Sequence, residues 1–174
     1  MRRGAGVTGS AYALLNSRPT SVFGTPHERI ATIFEVVRGH GGVLAEFRRR
    51  PGRWLLWISL DDVRCPDCAD NGGRYLQFVF MEDGRSVIGE CSANEFLPDE
   101  LQLTEDQAEA MRALGWKDPV PEYTPNWHIE ATSADEVRAL GQASVHTIID
   151  VFGLHPRDRA VIQFQRRIPL SGSA

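Results

Sequence analysis

Two cysteines three positions apart are the first residues whose spacing could support chemistry. Cys65 and Cys68 form a Cys-Pro-Asp-Cys sequence, and such a pair can supply half of a zinc site or act as a redox couple, because both sulfurs can reach one atom. A full zinc site needs two more ligands, yet the third cysteine, Cys91, falls in a predicted strand and no second C-x-x-C occurs. Thioredoxin-like motifs lie between a strand and a helix, whereas this one lies between two predicted strands. We therefore expect loop cysteines without catalysis, and a zinc- or redox-dependent protein remains the alternative function.

The segment His128-Ile129-Glu130 matches the H-x-E pattern of zinc deaminases, in which a P-C-x-x-C sequence supplies sulfur ligands. Here the C-x-x-C precedes the H-x-E and its proline lies inside the pair, so we exclude a deaminase. The five histidines are scattered, and the chain contains no nucleophile elbow, HExxH, GxGxxG or Walker A sequence. The residues predict no catalytic centre and no cofactor, and we expect a protein that is not an enzyme.

A basic cluster lies beside two tryptophans. The residues from Arg48 to Arg50, followed by Arg53, adjoin Trp54 and Trp57, a mixture that is typical of single-stranded nucleic-acid binding. The cluster lies at a predicted hairpin turn, however, where exposed charge also protects a sheet edge from aggregation. The formal net charge of the whole chain is −4, so a nucleic-acid partner is not expected.

The composition is that of one globular domain without a membrane span. The 174 residues are 42% hydrophobic and 24% charged, which suits a single core, and no apolar run approaches the roughly 18 residues that cross a bilayer. Residues 1–25 lack the apolar stretch of a secretory signal, so we expect a cytoplasmic protein. We divide the chain into a flexible arm (1–25), an α+β domain (26–156) and a basic tail or edge strand (157–174).

The first half of the chain predicts one helix and four strands. A capping box at Thr25-Pro26-His27-Glu28 starts the helix, apolar residues at helical spacing follow, and glycines 39, 41 and 42 end it. Residues 43–47 then begin a run of strands with short connections. The second strand, residues 54–60, is apolar at nearly every position, so both of its faces should be covered. The third strand places Leu76, Phe78 and Phe80 on one face, and the fourth covers residues 86–92.

The second half predicts two helices and one or two strands. Capping boxes at Thr104 and Ser133 start the helices, which end at Gly115 and Gly153. Residues 127–131 form a strand between them, and residues 161–168 add a final edge strand. The order α-β-β-β-β-α-β-α therefore predicts an α+β fold: an antiparallel meander with helices packed on one face.

Four tryptophans are the remaining unusual feature. Core packing explains most tryptophans, but Trp116 and Trp127 bracket a proline-containing loop with Tyr123. This loop could equally floor an apolar groove for a peptide.

Three short segments follow the strands in order: residues 92–97 (SANEFL), 113–116 (ALGW) and 125–127 (PNW), before a helix that ends in Val151-Phe152-Gly153. With this pattern, residues 26–156 resemble the bacterial TY-Chap family, peptide-binding chaperone-like domains related to type III secretion chaperones and YbjN-like proteins. The resemblance implies a non-catalytic α+β domain, often dimeric, that holds extended client segments on apolar sheet surface. We expect the peptide-binding residues among the aromatic side chains Trp54, Trp57, Phe78, Phe80, Trp116, Tyr123 and Trp127.

The charge distribution bears on the client. Residues 1–60 carry a balance of +6, residues 61–156 of −13 and residues 157–174 of +3, and between residues 94 and 136 eleven acids face only Arg112 and Lys117. If the protein is a chaperone, this surface favours basic client segments. We also expect a homodimer, because a small sheet with a free edge often pairs.

Overall fold

A computed structural model of the chain describes residues 27–49, 53–61, 73–81, 83–120 and 124–167. The predicted N-terminal arm, the loop with Cys65 and Cys68, and Tyr123 lie outside these residues. The strands are β1 (His27–Thr32), β2 (Arg53–Ser59), β3 (Tyr75–Phe80), β4 (Val87–Cys91), β5 (Trp127–Ala131) and β6 (Arg159–Arg167). The helices are α1 (Ile33–Phe47), α2 (Glu105–Ala113) and α3 (Ala134–His146), and α3 continues as a π-helical turn over Thr147–Val151. Two 3₁₀ turns, Asn94–Phe96 and Asp99–Leu101, precede α2.

The six strands form one antiparallel sheet in the order β1-β6-β2-β3-β4-β5. The predicted α+β class, with an antiparallel sheet and helices against it, is confirmed. The prediction of a final edge strand is wrong. Strand β6 lies inside the sheet, because it pairs with β1 on one side and with β2 on the other. Ala160, Val161, Ile162, Gln163 and Phe164 are accordingly all buried. The edges are β1 and β5.

The predicted first helix is wrong at both ends. Residues 27–32 of the predicted helix form β1 instead. The helix begins at the next Thr-x-x-Glu sequence along the chain, with Thr32 as its N-cap. There the Thr32 hydroxyl accepts from the Glu35 amide nitrogen (3.3 Å), and the Glu35 carboxylate accepts from the Thr32 amide nitrogen (2.8 Å). The helix then continues through the three glycines to Phe47, so the predicted strand at 43–47 is helical.

The reason is burial at helical spacing. Val36, His40, Val43 and Leu44 lie on one side of α1 and are buried, and the His40 ring packs 4.9 Å from the Phe78 ring of β3. These tertiary contacts outweigh the low helix propensity of glycine, which costs about 1 kcal/mol per residue.

One face of the sheet, called here the helix face, carries the main core. It presents Leu56 and Ile58 of β2 with Leu76, Phe78 and Phe80 of β3, and all five are buried, which confirms the predicted strand faces. On β4 the backbone approaches α3 closely: a Cβ on Gly89 would lie 2.6 Å from Leu140 Cδ1. A larger residue there would push α3 away from the sheet.

The predicted ends of α2 and α3 are confirmed. Thr104 forms a capping box with Gln107, and Ser133 forms one with Glu136. The glycines that follow these helices, Gly115 and Gly153, have φ angles of 94° and 66°, which a residue with a Cβ adopts only with strain.

Substitution of alanine for two glycines tests the corrected course of α1. Gly41 lies inside α1, and a Cβ there meets nothing within 4 Å, so Gly41→Ala should raise the free energy of unfolding by about 0.5–1 kcal/mol. Gly115→Ala should lower it by about 1 kcal/mol, because the φ of 94° is unfavourable for alanine. Urea unfolding measures both, and a Gly41→Ala protein no more stable than the parent would contradict the helix through residue 41.

His40 should make stability sensitive to mild acid. Burial lowers the pKa of His40 to about 4, whereas an unfolded histidine has a pKa near 6.5. The unfolded chain therefore binds the proton first, and the free energy of unfolding falls as pH drops from about 6.5 towards 4. The loss at pH 4.5 should be about 2–3 kcal/mol, and it should be absent in His40→Phe. Hydrogen bonds lower the pKa of Asp83 and of Glu136 to about 2, so these two carboxylates act mainly below this window. Equal pH dependence in parent and variant would refute the assignment.

Candidate functional site

The sheet face opposite the helix face, called here the second face, has a different character. Leu55, Trp57 and Val161 point to it by strand alternation and are buried, yet they lie outside the main core cluster. Polar side chains accompany them in the same rows: the register places Trp57 of β2 opposite Gln163 on one side and Gln77 on the other. The burial of β2 on both faces confirms the expectation from its unbroken apolar sequence.

Four side chains of this face, Trp57, Tyr75, Asn126 and His128, are called here the second-face belt. The Trp57 and Tyr75 rings are stacked, with centroids 4.0 Å apart and planes 21° apart. Tyr75 is hydrogen-bonded to the side chain of Asn126, and burial raises the pKa of Tyr75 to about 12. Asn126 precedes His128 by two residues, so both point to the same side of the chain entering β5.

The belt contains three buried polar atoms that lack a hydrogen-bond partner. They are Trp57 Nε1, Asn126 Oδ1 and His128 Nδ1, on residues that are 6%, 8% and 9% exposed. Among the described residues only one other buried side-chain atom, His40 Nε2 on the helix side, lacks a partner. An unsatisfied buried polar group costs about 1–3 kcal/mol, so three on one face require an explanation.

Carboxylates dominate the charge of the second face on β3, β4 and β5. Glu90 lies between Gln77 and His128 in the cross-strand register, and its carboxylate accepts a hydrogen bond from the Gln77 amide. Glu130 also points to this face and is exposed. Strands β3, β4 and β5 contain neither lysine nor arginine.

A cleft of about 450 Å³ adjoins Glu130 at the end of β4 and β5. Its walls combine an apolar floor with two carboxylates, and the lining residues are Met81, Asp83, Ser86, Val87, Ile88, Glu130, Ala131 and Thr132. Hydrogen bonds from Ser86 are the main reason that the pKa of Asp83 is lowered to about 2, so this carboxylate stays ionised at neutral pH.

Part of the basic cluster that begins at Arg48 is hydrogen-bonded within the protein. The Arg48 guanidinium donates to the backbone carbonyls of Arg85 (2.9 Å) and Thr132 (3.4 Å). Arg50 lies outside the described residues. Trp54 points to the helix face, away from Trp57, so the two tryptophans do not share one surface.

Of the seven aromatic residues predicted to bind peptide, the structure describes all but Tyr123 and does not bring these six together on the second face. Phe78 and Phe80 are fully buried on the helix face, and Trp54 packs partly buried against the same core. The Trp116 indole nitrogen donates to Thr147 Oγ1 (2.9 Å), and the Arg112 guanidinium lies 5.8 Å from the Trp127 ring. Among the predicted residues that the structure describes, Trp57 alone lies on the second face.

The sequence analysis missed the other members of the belt. Tyr75 could have been found, because it lies at odd spacing from the buried series Leu76, Phe78 and Phe80 and therefore on the other face. Asn126 and His128 carried no local signal beyond the strand itself.

Within the described ranges, no group of three or more His, Cys, Asp or Glu side chains could hold a metal ion. No helix in those ranges is both long and apolar enough to span a bilayer. Cys91 is buried on the helix face, and burial raises the pKa of its thiol.

The fold is that of an α+β domain whose helices pack against one face of an antiparallel sheet, leaving an aromatic, hydrogen-bonding second face. The family model TY-Chap3, described as T3SS (YopN, CesT) and YbjN peptide-binding chaperone 3, matches residues 45–163, more than half of the chain. The chain belongs to this family, as its resemblance suggested. The match spans β2 to β5 and therefore the whole second-face belt. Comparisons with curated proteins and with solved structures return no match.

The burial of Cys91 predicts a slow thiol. In a Cys65→Ser, Cys68→Ser protein, Cys91 should react with a disulfide reagent only as fast as the protein unfolds, because the side chain is 0% exposed and its raised pKa disfavours the thiolate. Stopped-flow labelling measures the rate. Gln142→Cys in the same background, at an exposed position on α3, should react at the rate of an accessible thiol. Equally rapid labelling of Cys91 would contradict its position in the core.

Proposed function

We propose that the chain is a non-enzymatic peptide-binding module that holds an extended segment of a client protein on its second face. The observation that carries the proposal is the accessible part of the second face: the half-buried Val79 and Ile88 beside the exposed Glu130, on the side of the sheet away from the helices. This surface belongs to a chain whose family is one of peptide-binding chaperone domains.

Apolar side chains supply the contact surface for such a segment. They are the half-buried Val79 and Ile88, which lie opposite each other on β3 and β4. Alternate side chains of an extended peptide point to the same side, so one set of them can pack on such a surface. Each apolar side chain removed from water contributes about 1.5–3 kcal/mol at most.

The charge of the face favours a basic client. Glu90 and Glu130 are on it, and Asp83 lines the adjoining cleft. Part of the acidic stretch from residue 94 to 136 is neutralised within the protein, since Arg112 lies 3.0 Å from Glu105 and 3.0 Å from Asp118. The preference for basic segments therefore depends mainly on the carboxylates of the second face.

We further propose a homodimer of a bacterial cytoplasmic protein that requires no cofactor. Support for the dimer comes from β1, an edge strand. Ile30 on this strand and Phe34 in the first turn of α1 are 51% and 57% exposed, and exposed apolar side chains beside an unpaired edge favour association. No specific observation favours the zinc or redox alternative.

The proposed function is tested by selecting 12-residue peptides from a random phage-displayed library on the full-length protein. We expect enrichment of peptides with apolar and basic residues. Their binding should weaken at least about tenfold in Val79→Asp, which puts a charge on the second face. The matched control is Val120→Asp, at a 46% exposed valine away from the sheet strands.

Circular dichroism and thermal melting establish that both variants are folded. Binding should weaken with added salt, because carboxylates attract the basic residues. Failure to enrich any peptide, or equal loss in both variants, would overturn the proposal. Affinity that rises with salt would overturn the basic preference alone.

A further inference from the structure

The cleft beside Glu130 is continuous with the apolar part of the second face. The register places Val79, Ile88 and Glu130 in one row across β3, β4 and β5. Met81 and Ser86 extend the next row, since the Met81 amide nitrogen donates to the Ser86 carbonyl (3.0 Å). Residues of both rows line the cleft, so a client segment that packs on Val79 and Ile88 lies directly beside it.

We infer that the cleft binds one arginine side chain of the client, with the aliphatic stem on the apolar floor and the guanidinium between the carboxylates of Asp83 and Glu130. The inference rests on the proposed function and names the side chain through which the basic character of the client is recognised. The volume of about 450 Å³ falls in the range of ligand sites, about 300–1,000 Å³, so one long side chain can enter the cleft.

Both carboxylates are available to a cation. Within the described ranges, neither Asp83 nor Glu130 takes part in a salt bridge, and both residues are exposed. The Asp83 carboxylate accepts from the backbone amides of Arg85 and Ser86 (2.8 Å each) and from the Ser86 hydroxyl (2.5 Å). These donors are neutral groups, so they hold the carboxylate in place without cancelling its charge.

The other charges near the cleft do not cancel these two. The Arg48 guanidinium donates to the carbonyls of Arg85 and Thr132, and Arg85 itself follows Asp83 in the hairpin turn. The Glu136 carboxylate accepts from the Thr132 amide nitrogen (2.7 Å) and hydroxyl (2.8 Å). Among the described residues around the cleft, three carboxylates therefore outnumber two guanidinium groups, and the excess negative charge attracts a cation.

Arginine suits this arrangement better than lysine. Its planar guanidinium carries five N–H donors and can bond to carboxylates on two sides, whereas the lysine ammonium is a compact and strongly hydrated charge. The aliphatic stem can lie along the floor beside Met81 and Ile88. Positions two residues apart on a strand are separated by about 7 Å. The arginine should therefore lie two residues from the client side chain that packs on Val79 and Ile88.

The test is a double-mutant cycle on one peptide enriched in the library selection, with Kd measured by fluorescence anisotropy. The arginine of the peptide is replaced by citrulline, which keeps the shape of the side chain and removes its charge. In the parent protein we expect citrulline to weaken Kd about fivefold to tenfold, and lysine to weaken it about threefold. In the double variant Asp83→Asn, Glu130→Gln the citrulline effect should fall below about twofold. Asparagine keeps an acceptor oxygen for the hairpin turn.

The matched control is the double variant Asp106→Asn, Glu109→Gln, which removes the same two charges from exposed positions on α2. It should retain the full citrulline effect. Circular dichroism and thermal melting establish that both double variants are folded. An equal citrulline effect in the parent and in Asp83→Asn, Glu130→Gln would overturn the arginine site.

Two further results would also count against the inference. Enriched peptides without an arginine two residues from an apolar residue would overturn the site, and a lysine peptide that binds as tightly as the arginine peptide would overturn recognition of the guanidinium. In each case the proposed function stands as long as Val79→Asp still weakens binding. Failure of the library selection removes both the proposed function and the arginine site.

Discussion

The pairing of β6 between β1 and β2 is the interaction on which the rest of the structure depends. Without it the sheet would divide into an isolated β1 and the β2-to-β5 meander. The pairing joins residues that are far apart in sequence, since His27 lies opposite Phe164 and Trp54 lies opposite Arg166. It turns β2 into an interior strand, which is why Trp57 lies at the centre of a face and not at its margin. Contacts so far apart in sequence form slowly, because the loop must close before they stabilise it.

The two sheet faces divide the work between stability and recognition. On the helix face the apolar alternation of β2 and β3 is uninterrupted, and on β4 Gly89 leaves room for Leu140. On the second face one row places Trp57 between Gln163 and Gln77, and Glu90 and His128 follow on β4 and β5. A face that served packing alone would not place an amide and a carboxylate between tryptophan and histidine. This mixture suits a surface that also serves recognition.

Most of the fold could be predicted from local signals, and the failures have one physical origin. The alternation in β3 and the capping boxes of α2 and α3 each depend on a few neighbouring residues, and each is confirmed. The start of α1 was wrong because Thr25 and Thr32 both open a Thr-x-x-Glu sequence, and only the long-range pairing with β6 makes residues 27–32 a strand. The candidate site was less predictable for the same reason. Asparagine and histidine are found in any strand or loop, so the sequence does not single out Asn126 and His128. What distinguishes them is a buried side-chain atom without a hydrogen-bond partner, which is a property of the three-dimensional structure.

His40 and the second-face belt both contain buried side-chain atoms without a hydrogen-bond partner, but their surroundings differ. His40 Nε2 also lacks a partner, but it adjoins a cavity of only about 20 Å³ whose other lining residues are all apolar: Val36, Val43, Leu56, Ile58, Ile162 and Phe164. No polar ligand fits there, so the cost of the unpaired nitrogen remains in the folded state and contributes to acid sensitivity. In the belt, three such atoms share one face and differ in donor and acceptor character.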